Sequence, residues 1–173
     1  GKRAVVEDHF NELVIDLVNP AGQPERMQLV VRGYNDGFAF CYKIPDGKGP
    51  CVNVQSELTA YNFAGDYTAW FYNGENHNIG PEKLTETDGT RLPVMTVKAG
   101  DKHYMAIHEA CLETGAPLVL QSKGGESLFS VASKPTSLSP GYTSAWRVVL
   151  YGTTPGVLTD SPLTVEDRLS GLV

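Results

Sequence analysis

Short runs in which apolar and polar residues alternate recur along the whole chain, and this period of two is typical of β-strands with one buried face. In Glu12–Val18 the residues Leu13, Ile15 and Leu17 share one face, and Phe38–Ile44 alternates in the same way. No window shows the wider apolar stripe of an amphipathic helix. The predicted strands are Glu12–Val18, Met27–Arg32, Phe38–Ile44, Leu58–Phe63, Thr68–Tyr72, Leu92–Lys98, Lys102–Glu109, Leu118–Gln121, Leu128–Ala132, Trp146–Tyr151 and Gly156–Thr159.

Turn residues separate these runs at intervals of roughly 8–12 residues, which is the spacing of strands in a β-sandwich or barrel. Asn35-Asp36-Gly37 predicts a tight hairpin between two of the strands. Longer stretches that are polar or rich in Pro and Gly are predicted to be loops, namely Pro45–Pro50, Asn73–Asp88 and Lys134–Ser144, and Val165–Leu172 is predicted to form a helical turn. No shift in composition divides the chain, so we predict one all-β domain over residues 1–173.

The bulk composition narrows the class of protein. Of the 173 residues 41% are hydrophobic, which is enough for a substantial core, and the formal net charge is −6. The lack of a basic cluster longer than Lys2-Arg3 argues against a nucleic-acid partner. No apolar run approaches the roughly 20 residues of a membrane helix, so no membrane partner is expected. Cys41, Cys51 and Cys111 are too few for a disulfide scaffold, and we expect Cys41 and Cys51 to be reduced and buried.

The stretch Lys102–Cys111 is the most informative strand because it ends in an acid, Glu109. A carboxylate at the end of a core strand is costly to desolvate unless a cation, a hydrogen-bond donor or water meets it. Glu109 is therefore either a solvated acid at a strand end or a carboxylate that a rigid strand places for a metal ion or a substrate. The spacing of residues alone leaves both interpretations open.

Two aromatic residues precede the polar stretch Asn73–Asp88 and are candidates for contact with sugar. Trp70 and Tyr72 share one face of their strand, and exposed rings of this kind are able to stack on sugar rings. Trp146 instead opens an apolar strand, so we expect it to pack in the core.

Motifs of several enzyme classes are missing from the sequence. The chain has no glycine-rich phosphate loop, no zinc-protease helix motif, no serine-hydrolase elbow and no EF-hand. His103 and His108 are five residues apart, so on a strand they point to opposite faces and do not chelate one metal ion together. The sequence also does not show which acids meet across a pocket, as glycoside hydrolysis requires. From the residues alone we therefore predict an acidic β-sandwich and assign no activity to it.

Four segments carry motifs that occur together in one family of enzymes. The most specific are Arg-x-Tyr-x-Asp-Gly-x-Ala-Phe at Arg32–Phe40 and Ile-x-Glu-Ala at Ile107–Ala110, with Asn11–Leu13 before them and Trp146–Val149 after them. In this order and spacing they resemble the N-terminal domain of glycoside hydrolase family 97, which contains bacterial α-glucosidases and α-galactosidases. The resemblance implies an antiparallel β-super-sandwich like that of galactose mutarotase, with strands missing at its N-terminal side and hence an exposed sheet edge.

The resemblance also implies a partner, a cofactor and a site residue. In this family the domain packs on a (β/α)8 barrel of the same polypeptide, and the barrel supplies the catalytic acids, so no catalytic residue is expected here. By its motif Glu109 is expected to be a calcium ligand, and carboxylate oxygen suits that hard cation. The expected substrate is an α-linked oligosaccharide, and the expected location is periplasmic or secreted. Trp70 and Tyr72 stay the candidate sugar contacts because of their position on the strand, not because of the resemblance.

Two further functions stay open. As a carbohydrate-binding module that acts without a barrel, the domain would hold a glycan against Trp70 and Tyr72. As a free-standing sugar epimerase it would need a His acid and a Glu base across one pocket, and the sequence shows no such pairing.

Overall fold

A computed structural model describes residues 9–21, 26–74, 78–112 and 117–161 of the chain. Within these ranges nearly all regular structure is β. The strands are β1 (Asn11–Val18), β2 (Arg26–Tyr34), β3 (Gly37–Lys43), β4 (Val52–Val54), β5 (Ala60–Asn62), β6 (Thr68–Tyr72), β7 (Asn78–Lys83), β8 (Asp88–Lys98), β9 (Tyr104–Ala110), β10 (Leu120–Lys123), β11 (Leu128–Val131), β12 (Thr136–Leu138) and β13 (Trp146–Gly152). A 3₁₀ turn at Leu84–Glu86 and helix α1 at Pro155–Asp160 complete the described elements.

All pairings between the described strands are antiparallel. The large sheet has the strand order β1-β2-β3-β13-β9-β8-β10-β11-β5. Strand β6 branches from this order, because it pairs with β8 and, on its other side, with β7. Strands β12 and β4 form a separate two-stranded sheet. The hairpin predicted at Asn35-Asp36-Gly37 joins β2 to β3. The predicted all-β antiparallel sandwich is therefore confirmed.

The long strand β8 connects the two layers of the sandwich. Its first part, Asp88–Arg91, pairs with β10, whereas Met95–Lys98 pairs with β9. Phe71, Met95 and Ile107 from one layer pack with Leu120 and Phe129 from the other in a single buried cluster. This cluster is the core between the layers.

The opposite face of the same sheet carries a second buried cluster. It is formed by Val30, Ala39, Cys41, Ala106, Ala110, Trp146, Val148 and Leu150 of the strands together with Leu158 of α1. Neighbouring residues of one strand divide between the faces, since Ala106 belongs to this cluster and Ile107 to the other. The predicted burial of Trp146 is confirmed, because its exposed fraction is 3%.

Two stretches predicted to be loops contain strands. Asn73–Asp88 includes β7 and the 3₁₀ turn, and Lys134–Ser144 includes β12. The sequence of β7 is Asn-Ile-Gly-Pro-Glu-Lys, which lacks apolar alternation, and pairing with β6 rather than side-chain burial defines it as a strand. The strands β4 and β12 have three residues each, too few for a period of two to be recognised.

The prediction of a final strand at Gly156–Thr159 is wrong, because these residues lie in α1. Pro155 occupies the first turn of that helix, where the missing N–H is not needed and the fixed φ favours helix. The helical turn predicted at Val165–Leu172 lies outside the described residues. No helix in the described ranges has the length and apolar character to cross a membrane.

Strand β1 forms one end of the large sheet, and all eight of its residues are exposed. Its apolar side chains include Leu13 and Val18, with exposed fractions of 58% and 79%. An apolar strand at a sheet end presents unpaired backbone groups that invite pairing with another strand. The expected exposed edge is thus present among the described residues, and the further strands expected before it stay a prediction.

The three cysteines are free thiols, as expected from their number. Cys41 is fully buried in the second cluster, but Cys51 is exposed, so the expectation that both are buried is wrong for Cys51. The Pro/Gly loop that precedes Cys51 holds it at the surface, where its Sγ lies 3.7 Å from Ser139 Oγ.

Burial of Cys41 predicts a loss of stability at alkaline pH. Lack of water around the thiolate raises the pKa of the Cys41 thiol from 9.0 to about 11. The unfolded chain releases this proton near pH 9.0, whereas the folded chain holds it until about pH 11. The contribution of Cys41 to the free energy of unfolding is therefore fully present below pH 9.0. It decreases as the pH rises towards 11, by about 3 kcal/mol in total.

Urea unfolding at a series of pH values from about 8 to 11 measures this dependence, with Cys41→Ala as the matched variant. The variant is less stable at neutral pH because it leaves a small cavity. Its unfolding free energy should fall less steeply than that of the parent chain over the alkaline range. Parallel pH profiles for the two proteins would contradict the prediction.

Candidate functional site

Glu109 lies on β9, one residue before the strand ends, which is within one residue of the predicted strand end. Its side chain is half-buried on the face that also carries Ile107. The backbone N–H of Leu118, which follows β9 after a connecting loop, donates a short hydrogen bond to Glu109 Oε2. The second carboxylate oxygen accepts no hydrogen bond from the described ranges. One oxygen is thus held by the fold, and the other is available to a further partner.

Arg147 is the nearest cationic group of the site, directly across from Glu109 in the register of β13 and β9. Only 4% of Arg147 is exposed. Its Nε and Nη2 donate to the two carboxylate oxygens of Glu57 at 3.2 and 2.8 Å. Its Nη1 is buried and donates to no atom of the described residues. Arg147 is therefore bound to Glu57 through two of its nitrogens, and its third has no hydrogen-bond partner among the described residues. We call Arg147, Glu57, Glu109 and their polar neighbours the Arg147 polar cluster.

Opposing electrostatic effects act on Glu109. Burial raises the pKa of the Glu109 carboxyl above its ordinary value, while the Leu118 N–H and the positive charge of Arg147 lower it. The buried hydroxyl of Tyr61 lies in the same cluster, and burial likewise raises the pKa of Tyr61. Because desolvation has the largest effect on Glu109, the folded domain holds this carboxylate at a cost that an added cation would offset.

Glu109 fits a calcium site as one ligand of several. Calcium takes about 6–8 oxygen ligands, and a carboxylate with one unshared oxygen supplies one or two of them. In the part of the chain that the structure describes, no group of three or more His, Cys, Asp or Glu residues is placed to hold a metal ion. Within the described ranges, Glu109 is thus not part of a complete set of such ligands.

Trp70 and Tyr72 form the exposed pair that the sequence predicts. On β6 they alternate with the buried residues Ala69 and Phe71, and their exposed fractions are 37% and 43%. Both rings line a pocket of about 550 Å³ that is bounded by strands β6 to β9, β13 and α1. We call this the β6–β9 pocket.

The predicted site residues do not come together, because they lie on opposite faces of one sheet. Trp70 pairs with Thr96, and Thr96 pairs with Ala106, so these three side chains share a face. Glu109 is three residues after Ala106 on β9 and therefore points to the other face. A metal ion at Glu109 and a sugar at Trp70 would occupy separate sites.

The same alternation bears on the epimerase alternative. His108 lines the β6–β9 pocket, whereas its neighbour Glu109 faces away from it. His103 precedes β9, and its Nδ1 lies 2.7 Å from the hydroxyl of Tyr151, whose ring it stacks on. The two histidines thus occupy different surroundings, although His103 lies before β9 and not on it as predicted, and neither forms an acid–base pair with Glu109.

Sequence reasoning missed the polar cluster around Arg147. A lone arginine within the apolar strand Trp146–Tyr151 was a usable signal, because a buried guanidinium needs an anionic partner. Its partner Glu57 lies 90 residues earlier in the chain. Tyr61 of β5 also carries a buried hydroxyl in this cluster, which its position in a predicted strand does not reveal.

One family model matches nearly the whole chain. The model described as glycosyl-hydrolase 97 N-terminal matches residues 1–166. A search of the curated proteins found no match.

Comparison with solved structures finds the same fold in larger enzymes. A glycoside hydrolase family 97 enzyme from Pseudoalteromonas sp. strain K8, in complex with acarbose, is 23% identical with a TM-score of 0.76 over 91% of this chain and 26% of that one. Its E480Q variant in complex with panose matches equally well. A β-arabinopyranosidase is 17% identical, with a TM-score of 0.69 over 83% of this chain and 27% of that one. The chain spans about a quarter of the length of these enzymes.

Proposed function

The chain belongs to the glycosyl-hydrolase 97 N-terminal family, and from this we propose that it is the non-catalytic N-terminal domain of an α-glycosidase. The catalytic acids would lie in a (β/α)8 barrel of the same polypeptide, against which this domain packs. The length of the matched enzymes supports this proposal, because about three quarters of each lies beyond the part that resembles this chain. An α-linked oligosaccharide is the proposed substrate, and the periplasm or the cell exterior is the proposed location.

We propose further that Glu109 supplies one calcium ligand to the active site of the barrel. The observation that supports this role is the arrangement of its carboxylate: Leu118 holds one oxygen, and the other accepts nothing from the described residues. Calcium, when bound, supplies positive charge that is able to stabilise charge developing on the sugar. In this role the Leu118 N–H holds the Glu109 carboxylate in place near the end of a rigid strand, so that its other oxygen is positioned for the calcium ion.

Because the catalytic acids and the other calcium ligands are proposed to lie in the barrel, we predict that the 173-residue chain alone binds calcium weakly and hydrolyses no α-glucoside or α-galactoside. Calcium affinity follows the number and charge of the ligands, and one carboxylate is far from a complete set. We expect a dissociation constant on the order of 1 mM or weaker. Calorimetric titration with calcium, with Glu109→Gln as the matched control, measures it.

A micromolar dissociation constant that is lost in Glu109→Gln would contradict the proposal, because the domain would then hold a calcium site of its own. Release of p-nitrophenol from p-nitrophenyl α-glucoside or α-galactoside by the chain alone would contradict the non-catalytic role.

A further inference from the structure

The β6–β9 pocket is not needed for the role proposed for Glu109. It opens on the other face of the sheet, between α1 and the aromatic side chains of β6. Its volume of about 550 Å³ lies within the range of roughly 300–1,000 Å³ found for small-molecule sites. The chain therefore has a separate cavity of ligand size.

The walls of the pocket combine aromatic and aliphatic groups with a few polar ones. The rings of Trp70 and Tyr72 line the pocket together with the aliphatic side chains of Leu150 and Leu158. The polar groups include Asn78, Thr96 and Thr159. The Asn78 amide and the Thr96 hydroxyl are groups that both donate and accept hydrogen bonds, whereas the Thr159 hydroxyl donates to the Gly156 carbonyl oxygen and offers a ligand an acceptor. This combination suits a ligand that has an apolar face and polar edges.

The position of the Trp70 ring is fixed by its neighbour strand. A Cβ added at Gly80 of β7 would lie 2.8 Å from Trp70 Cδ1 and 2.7 Å from the Ala69 carbonyl oxygen. Only glycine at this position, where φ is +130°, lets the strand approach the indole so closely. The indole is thus held by the backbone on one edge and keeps an exposed fraction of 37%.

We propose that the β6–β9 pocket is a carbohydrate-binding subsite in which Trp70 stacks on the apolar C–H face of a pyranose ring. A pyranose has that apolar face and a rim of hydroxyl groups, which matches an indole bordered by Asn78, Thr96 and Thr159. Because Glu109 lies on the opposite face, this subsite binds sugar without calcium and without any catalytic group of the chain.

The test is an NMR titration of the ¹⁵N-labelled chain with maltotriose and, separately, with an α-1,6-linked galactobiose, in buffer containing EDTA. We expect saturable shifts of the Trp70 indole and of the Thr96 amide, with a dissociation constant on the order of 1 mM. The Trp146 indole serves as an internal reference, because Trp146 is 3% exposed and lies outside the pocket lining.

The sugar affinities of variants show whether the sugar binds in the β6–β9 pocket. Trp70→Ala and Tyr72→Ala should each weaken binding about tenfold, since each removes a stacking surface. Phe38→Ala is the matched control, because Phe38 is an aromatic of similar exposure, 44%, on another strand and outside the pocket. It should leave the affinity unchanged, as should Glu109→Gln.

Three results would overturn the subsite: no saturable shift with either sugar, equal affinity for Trp70→Ala and the parent chain, or binding lost in Glu109→Gln. Far-UV and near-UV circular dichroism establish that each variant is folded. The failure of this subsite and the failure of the calcium role are distinguishable, because the titration is run without calcium.

Discussion

Replacing Arg147 with alanine should lower the free energy of unfolding by about 3–5 kcal/mol, the cost of breaking a buried ion pair from one side. Arg147 is 4% exposed, and its two hydrogen bonds to Glu57 are lost in the variant. The side chain of Glu57, 18% exposed, would keep its charge without a partner. For a domain of this size, the melting temperature should fall by roughly 10 °C or more. Urea unfolding followed by circular dichroism measures the change.

The double variant Arg147→Met with Glu57→Leu separates the ion pair from the packing around it. Removing both charges together should recover most of the stability, because no buried charge is then left unpaired. A loss below about 1 kcal/mol in Arg147→Ala would show that water reaches the pair and that it behaves as a surface salt bridge.

Most of the fold is predictable because alternating burial leaves a period of two in the sequence. Strand β1 is predicted to within one residue at Glu12–Val18, and β6 is predicted with its observed bounds. The failures occur where pairing rather than burial defines the strand. The first part of β8 has the polar sequence Asp-Gly-Thr-Arg and becomes a strand by pairing with β10. Such pairing depends on chain segments that are distant in sequence.

The candidate site is only partly predictable for a related reason. Alternation within β9 fixes the face of Glu109 relative to Ile107, and alternation within β6 fixes Trp70 relative to Phe71. The register between β6, β8 and β9 decides whether the faces that carry Trp70 and Glu109 lie on the same side of the sheet. The sequence of a single strand does not contain this register. The separation of Glu109 from Trp70 therefore needs the structure. The proximity of Arg147 to Glu57 needs it as well, because the two are brought together by the sandwich alone.

Burial of Glu109 couples the stability of the fold to the protonation of its carboxyl group. Burial raises the pKa of its carboxyl, so the folded chain binds this proton more tightly than the unfolded chain. Stability contributed by the protonated form is therefore complete below the ordinary value of 4.5 and falls as pH rises above it. At neutral pH the ionised carboxylate is thus a cost to the fold, and perturbed carboxylates of this kind are common at functional sites.

In the full-length enzyme proposed above, Glu109→Gln should weaken calcium binding about a hundredfold or more while leaving the fold as stable as before, or more stable, at neutral pH. Glutamine keeps an oxygen that accepts the Leu118 N–H, so the local geometry survives, but it removes the charge that burial disfavours. Calcium titration and urea unfolding without calcium measure the two effects separately. Asp16→Asn is a matched control, since it removes one negative charge on the exposed strand β1, remote from β9 in the sheet, and keeps an oxygen that accepts from Gln28 Nε2. It should leave calcium affinity unchanged. Unchanged calcium affinity in Glu109→Gln would exclude a ligand role, whereas marked destabilisation would identify Glu109 as a structural acid that accepts the Leu118 N–H and interacts with the positive charge of Arg147.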